Sequence, residues 1–244
     1  MPVAQITTRT WRLIDSGPHP GAENMVVDER LLEQAVKEDT APVLRLYPWD
    51  PPAVSLGRFQ DEKNAVNAEA CKRLGFDIVR RITGGRAVLH HQELTYSIVS
   101  RTDNTFFPQD VLGTYKVIAA GLLAGLRNLG IEAEMVSRSN RRAALVEKKA
   151  KDPFCFSSPS WYEILVNGKK IIGSAQRRVS GAFLQHGSIL IKRDPALEAA
   201  VIPGGGGGAV TSICDTLGRD VSRDEVKKAF VIGFGNALGV EFVT

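Results

Sequence analysis

Cysteine, histidine and long apolar runs are all scarce in this chain. Its three cysteines, Cys71, Cys155 and Cys214, are too few and too scattered for a disulfide framework or a C-x-x-C metal site. The four histidines include the adjacent pair His90 and His91 but no H-E-x-x-H spacing, so no bound metal is expected. No apolar run reaches the roughly 18 residues of a membrane-spanning helix. The opening MPVAQITTRTWRLID lacks the apolar stretch of a secretory signal, and the expectation is a cytoplasmic protein with no membrane partner. Charge is nearly balanced at +4, and the basic residues form no single block. Mild basicity fits an acidic partner surface, nucleic acid or an acidic carrier protein, but charge alone favours a solvated surface, and no nucleic-acid partner is expected. Gly204–Gly208 lacks the G-K-S/T ending of a phosphate-binding loop and reads as a mobile loop.

What is present is an ordinary globular balance, 43% hydrophobic and 24% charged over 244 residues, enough for a proper core. Trp11–Ile14 reads as a strand and 23–37 as a helix. Val43–Tyr47 and Ala53–Gly57 read as strands around the turn Pro48-Trp49-Asp50-Pro51-Pro52. A helix around 61–74, carrying Cys71, precedes a strand at Asp77–Arg80. Residues 109–129 place Val111, Tyr115, Ile118, Leu122, Leu126 and Leu129 at helical spacing before Gly130, and the glycines and alanines between them suggest close packing on a sheet. Asn167-Gly168 and Ser180-Gly181 punctuate three apolar runs into an antiparallel meander. Ser222 and Glu225 open a last helix that Gly239 ends. Runs of strands with irregular helices argue for one α+β domain over 1–244, with a mixed, largely antiparallel sheet flanked by helices.

Three segments carry candidate chemistry. In 80–90, Arg80 and Arg81 close a strand, Gly84-Gly85 make a turn, and a second strand leaves it; the glycines permit positive φ and close backbone approach, and arginines can clamp a phosphate or carboxylate. In 169–178, a lysine just past the Asn-Gly turn is followed by small residues, which lets an ammonium point into a cleft. In 153–161, Cys155 sits in a loop before the meander, where nearby cations would favour a nucleophilic thiolate.

Taken in order, these segments resemble the biotin/lipoate ligase and transferase superfamily. The residues that carry the resemblance are Arg80-Arg81-Ile82-Thr83-Gly84-Gly85-Arg86-Ala87-Val88-Leu89-His90, Lys170-Ile171-Ile172-Gly173-Ser174-Ala175 and His186-Gly187-Ser188-Ile189-Leu190. Trp11–Gly17 and Pro52–Gly57 also fit, so the match spans nearly the whole chain. The resemblance implies a biotin/lipoate ligase-like catalytic domain that attaches octanoyl or lipoyl groups to one lysine of a small acceptor domain. It further implies that Lys170 contacts the acyl carbonyl and that the Arg-Gly-Gly loop lines the pocket. Arg80, Arg81, Thr83, Gly84, Gly85, Arg86, His90, Gly173, Ser174, Ala175, His186 and Gly187 are the expected substrate-binding residues.

The superfamily holds two chemistries. Ligases activate a free acid with ATP; octanoyltransferases carry the acyl group on a cysteine. Arg86 stands where ligases usually have a third glycine, and Glu93-Leu94-Thr95-Tyr96 replaces the ligase-like sequence after the histidine. Cys155-Phe156-Ser157-Ser158-Pro159-Ser160-Trp161-Tyr162-Glu163 is similar to the nucleophile segment of transferases typical of Gram-positive bacteria. Two positions depart from related sequences: Ile202-Pro203-Gly204 where another branch has Pro-Cys-Gly, and His91 where aspartate is more usual. The expectation is an octanoyltransferase with Cys155 and Lys170 as catalytic residues and no cofactor. Acyl carrier protein is the expected donor and a lipoyl-domain or glycine-cleavage H-type protein the acceptor. The alternatives are an ATP-dependent lipoate ligase and a non-catalytic acyl-binding subunit of the same fold.

Overall fold

The computed structural model describes residues 9–136 and 163–244. The first strand, β1 (Thr10–Asp15), lies parallel to β2 (Val43–Tyr47), and the helix α1 (Gly21–Lys37) joins them. The long strand β6 (Glu93–Arg101) runs antiparallel to β2 and to β10 (Ala182–Leu190). Beyond β10 follow β9 (Lys169–Val179), β8 (Ile164–Val166) and β7 (Glu134–Met135), while β11 (Glu241–Val243) pairs with β1 at the other edge. These eight strands form one mixed sheet in the order β11-β1-β2-β6-β10-β9-β8-β7. The meander forms as read: Asn167 (φ 49°) with Gly168 (φ 74°), and Ser180 (φ 45°) with Gly181 (φ 83°), each place two left-handed residues at the hairpin tip. That is the backbone twist a two-residue hairpin requires.

A smaller sheet forms from β3 (Ala53–Leu56), β4 (Asp77–Arg80) and β5 (Val88–His90). Here β4 and β5 flank β3 on opposite sides, so the Arg-Gly-Gly segment does not turn a hairpin. It crosses the end of β3. The helix expected around 61–74 divides into α2 (Glu62–Ala65) and α3 (Ala68–Leu74). Asn67 causes the break: its side chain caps α3 at the Ala70 N–H (3.1 Å), and its own N–H is taken by the Val201 carbonyl (2.8 Å).

Period-2 alternation sorts β6 cleanly. Leu94, Tyr96 and Ile98 join the main core with Leu44, Leu46, Phe183 and Ile189. Over that face lie α4 (Val111–Asn128) and α7 (Arg223–Leu238), which bring Ile118, Leu122, Leu126, Phe230 and Phe234. Gly121 and Gly125 of α4 serve the contact with α7 rather than a contact with the sheet. A Cβ added to Gly121 would lie 2.1 Å from the Phe234 ring, and one on Gly125 2.7 Å from Phe230. The opposite face of the large sheet is covered by α1 and the smaller sheet. Two short helices, α5 (Pro195–Val201) and α6 (Ile213–Leu217), flank the glycine run. Read as a mobile loop, that run instead packs on α5: a Cβ on Gly206 would stand 2.2 Å from the Pro195 carbonyl oxygen. No helix among the described residues is long and apolar enough to cross a membrane.

Gly233→Ala tests the helix contact. Its Cβ would fall 2.4 Å from the Gly125 backbone nitrogen, which cannot rotate away. Better helix propensity offers up to about 1 kcal/mol, whereas overpacking costs about 1–3 kcal/mol. Urea unfolding should show a net loss of stability; a gain would mean that α4 and α7 separate without cost.

Candidate active site

Because β6 and β10 are buried on both faces, the side chains opposite the core depend on one another for hydrogen bonds. They include Arg45, Tyr47, Thr95, Ser97, His186 and Ser188, all buried. Part of this polar face, together with the smaller sheet and α1, encloses a cavity of ≈ 570 Å³ including its open mouth.

At one wall, the fully buried Asp28 carboxylate of α1 accepts from Arg45 Nη1 (2.9 Å) and the Tyr47 hydroxyl (2.9 Å), and it meets His186 Nδ1 (3.2 Å). Burial pushes the Asp28 carboxyl up, but the hydrogen bond and charge of His186, with those of Arg45, outweigh it and hold it below the usual range. Burial, then the Asp28 charge, pushes the Tyr47 phenol well above its ordinary value. The other nitrogen of His186 meets Thr83 Oγ1 at 2.7 Å, tying β10 to the Arg-Gly-Gly loop.

At a second wall, Trp49 stacks on His90 with ring centroids 4.0 Å apart and donates to Thr95 Oγ1 (2.8 Å). His90 Nε2 meets Ser55 Oγ (2.8 Å), and Arg81 donates to the Ser55 carbonyl and to the carbonyls of Gly84 and Arg86 at 2.7–2.9 Å. Burial pushes the His90 imidazole below its ordinary value, against the opposing pull of Glu93. Gly85 is the loop residue at the mouth: it is exposed, lines the cavity and has φ 97°, whereas Gly84 has no positive φ. Gly57 packs against it so closely that a Cβ would lie 2.0 Å from the Gly85 oxygen. Gly187 is equally constrained, with a Cβ position 2.4 Å from the Gly173 oxygen.

The third wall carries Glu163 and, paired with it but not itself lining the cavity, Lys170. A bulge sets its direction: Ile164 pairs with Ile172 but Leu165 with Lys170, so β9 spends an extra residue there. Ile171 and Ile172 both join the main core. Lys170 is thereby turned to Glu163, and the two form a buried ion pair with side chains 1% and 4% exposed. Glu163 lines the cavity.

The structure thus gathers Arg81, Gly85, His90, Gly173, Ser174, Ala175, His186 and Gly187 around one space, with Thr83 bonded to His186 behind it. Arg80, Gly84, Arg86 and Lys170 are not among the lining residues. Arg80 is exposed and ties the carbonyls of Gly57 (2.9 Å) and Gln60 (2.7 Å). Cys155 lies outside the described residues. Cys71 and Cys214 are buried; burial raises the Cys71 thiol. Met25, Tyr47, Trp49, Ser55, Val88, Thr95, Glu163 and Ser188 line the cavity without having been singled out. For Thr95 and Ser188 the available signal was a polar position alternating with leucine and isoleucine along β6 and β10.

A family model described as "Lipoyl protein ligase A/B catalytic domain" matches residues 20–235. The chain belongs to this lipoyl protein ligase A/B family. A relative from Carboxydothermus hydrogenoformans, named Octanoyltransferase LipM, is 43% identical over 96% of this chain and 88% of its own length. Among solved structures, lipoate-protein ligase A bound with ATP is 26% identical with a TM-score of 0.73, over 96% of this chain and 90% of that one. The bi-partite lipoate protein ligase of an archaeal lipoylation system, described with its E2 lipoyl domain from Thermoplasma acidophilum, is 25% identical with a TM-score of 0.70, over 96% and 86%.

The depressed His90 sets a pH dependence of stability. Below its ordinary value of 6.5 the unfolded chain takes up a proton that the folded protein refuses, so stability is full above that pH and falls as pH drops through it. The lowered Asp28 acts in the same direction at lower pH. Urea midpoints should therefore be lower at about pH 5.5 than at about pH 7.5, and His90→Gln should narrow the difference. A midpoint that holds or rises on acidification would contradict a neutral, buried His90.

Proposed function

We propose that this family member is an octanoyltransferase of lipoate biosynthesis that works through a Cys155 thioester. The observation that carries the reading is the near full-length similarity to the octanoyltransferase relative, at 43% identity. The cavity supports it physically. Its lining combines Met25, Trp49, Val88 and glycines suited to a hydrocarbon chain with the Glu163 carboxylate, which pairs with the ammonium of Lys170.

In this mechanism the Cys155 thiolate attacks the carbonyl of an octanoyl thioester on acyl carrier protein. A carbon–sulfur bond to Cys155 forms, the bond to the donor sulfur breaks, and the donor leaves as its thiolate. The ammonium of Lys170 stabilises the oxyanion in a site of low dielectric. The neutral ε-amine of an acceptor lysine then attacks the acyl-enzyme; the amide bond forms, and the amine proton leaves with the Cys155 sulfur. A lipoyl domain is the acceptor class, in keeping with the archaeal ligase and its E2 lipoyl domain, and a glycine-cleavage H-type protein is the other candidate. Arg81, Thr83 and His186 shape the wall, and no resident cofactor takes part. The likeness to the ATP-bound ligase favours one rival, activation of a free acid by ATP.

Intact-protein mass spectrometry separates the two. Mixed with octanoyl-carrier protein and no ATP, the native chain should gain one octanoyl group, Cys155→Ala none, and an acceptor domain should discharge the adduct. Acceptor modification only with free acid and ATP would establish the ligase instead. Lys170→Ala should slow acylation by about 10²-fold or more.

A further inference from the structure

We propose that Glu163 is the positioning residue of the acyl-transfer site, the carboxylate that fixes the Lys170 ammonium at the cavity wall. The inference rests on the role proposed above for Lys170. Lys170 is held at both ends. Its backbone N–H donates to the Ala209 carbonyl (2.7 Å), and its carbonyl accepts from the Thr211 N–H (2.9 Å). Those two bonds and the bulge at Ile171 fix the backbone from which the side chain reaches Glu163.

The tip is then decided by charge. An ammonium 1% exposed is tolerated only with an opposite charge against it, and Glu163, itself 4% exposed, is the carboxylate that supplies it. Glu163 lines the cavity although Lys170 itself does not, so the contact holds the cation one side chain away from the space an acyl carbonyl would enter. The other titratable groups on that lining are committed elsewhere: His186 to Asp28 and Thr83, His90 to Ser55 and Glu93, Tyr47 to Asp28, and Arg81 to the carbonyls of Ser55, Gly84 and Arg86. Glu163 also lies eight positions after Cys155 in the sequence. An oxyanion stabiliser needs its charge in place before the reaction, because reorganising it in the transition state forfeits the gain.

A double-mutant cycle on the rate of acyl-enzyme formation tests this, with octanoyl-carrier protein as donor and circular dichroism to monitor folding. Glu163→Gln keeps a hydrogen-bond acceptor but removes the charge. It should slow acylation by about 10²-fold at an unchanged KM for the donor. Glu163→Asp should fall between it and the native chain. The combined Glu163→Gln, Lys170→Met variant should be no slower than Lys170→Met alone. A full rate in Glu163→Gln, or losses that multiply in the combined variant, would overturn the assignment, since Glu163 would then act without Lys170. Full activity in Lys170→Met would instead remove Lys170 from the mechanism, a different failure. If Glu163→Gln does not fold, the same cycle is read with Glu163→Asp, whose shorter carboxylate withdraws from the ammonium.

Discussion

The Asp28 carboxylate cannot reach water, and the cavity side of the large sheet is organised around it. Arg45 and Tyr47 from β2, His186 from β10 and the helix α1 itself converge on its two oxygens. A buried charge stripped of its partners costs about 3–5 kcal/mol, so none of these elements moves independently. Through His186 the same constraint reaches Thr83, and through Thr83 the loop whose Gly85 forms the mouth. The loop is thus located by a chain of hydrogen bonds starting on a helix more than fifty residues earlier, as well as by its own glycines.

A second constraint acts on Lys170 and is independent of the first. Strict alternation along β9 would give Lys170 the face of Ile172 and send it into the apolar core. One extra residue, absorbed at Ile171, reverses it. The glycine run matters here for a reason unrelated to phosphates. Packed on α5, it delivers Ala209–Thr211 alongside Lys170 and pins its backbone. Sequence alone offers no way to see this, since Gly204–Gly208 contains no side chain to read.

Elements that depend on local chemistry were legible in the sequence. Asn167-Gly168 and Ser180-Gly181 make their hairpins because no other backbone geometry joins those strands so tightly. Ser222 caps α7 through the Glu225 N–H, and Gly239 ends it. Elements that depend on distant partners were not legible. The two arginines and Gly84-Gly85 look like a hairpin, but β3 intervenes between β4 and β5, and pairing with a third strand leaves no local trace. The glycines of α4 announce close approach without naming Phe230 and Phe234 as what approaches. The motif residues of the site were readable as a set. Glu163, Trp49 and Ser55 were not, because each reaches the cavity only through the stacking of two sheets.

This division explains how a wall so rich in polar atoms can suit a hydrocarbon chain. Asp28, Arg45, Tyr47 and His186 spend their polar atoms on one another, as do Ser55 and His90. A polar group already satisfied within the protein asks little of its ligand, and what it then presents is chiefly packing surface. Ser188 differs: its buried hydroxyl has no hydrogen-bond partner among the described residues, and it lines the cavity. An octanoyl chain carries one polar group, its carbonyl. A binding site for it therefore needs a polar device at one end only, and elsewhere needs its own polar atoms kept occupied. The Lys170–Glu163 pair supplies that end, while the Asp28 network keeps the opposite wall closed to further hydrogen bonding.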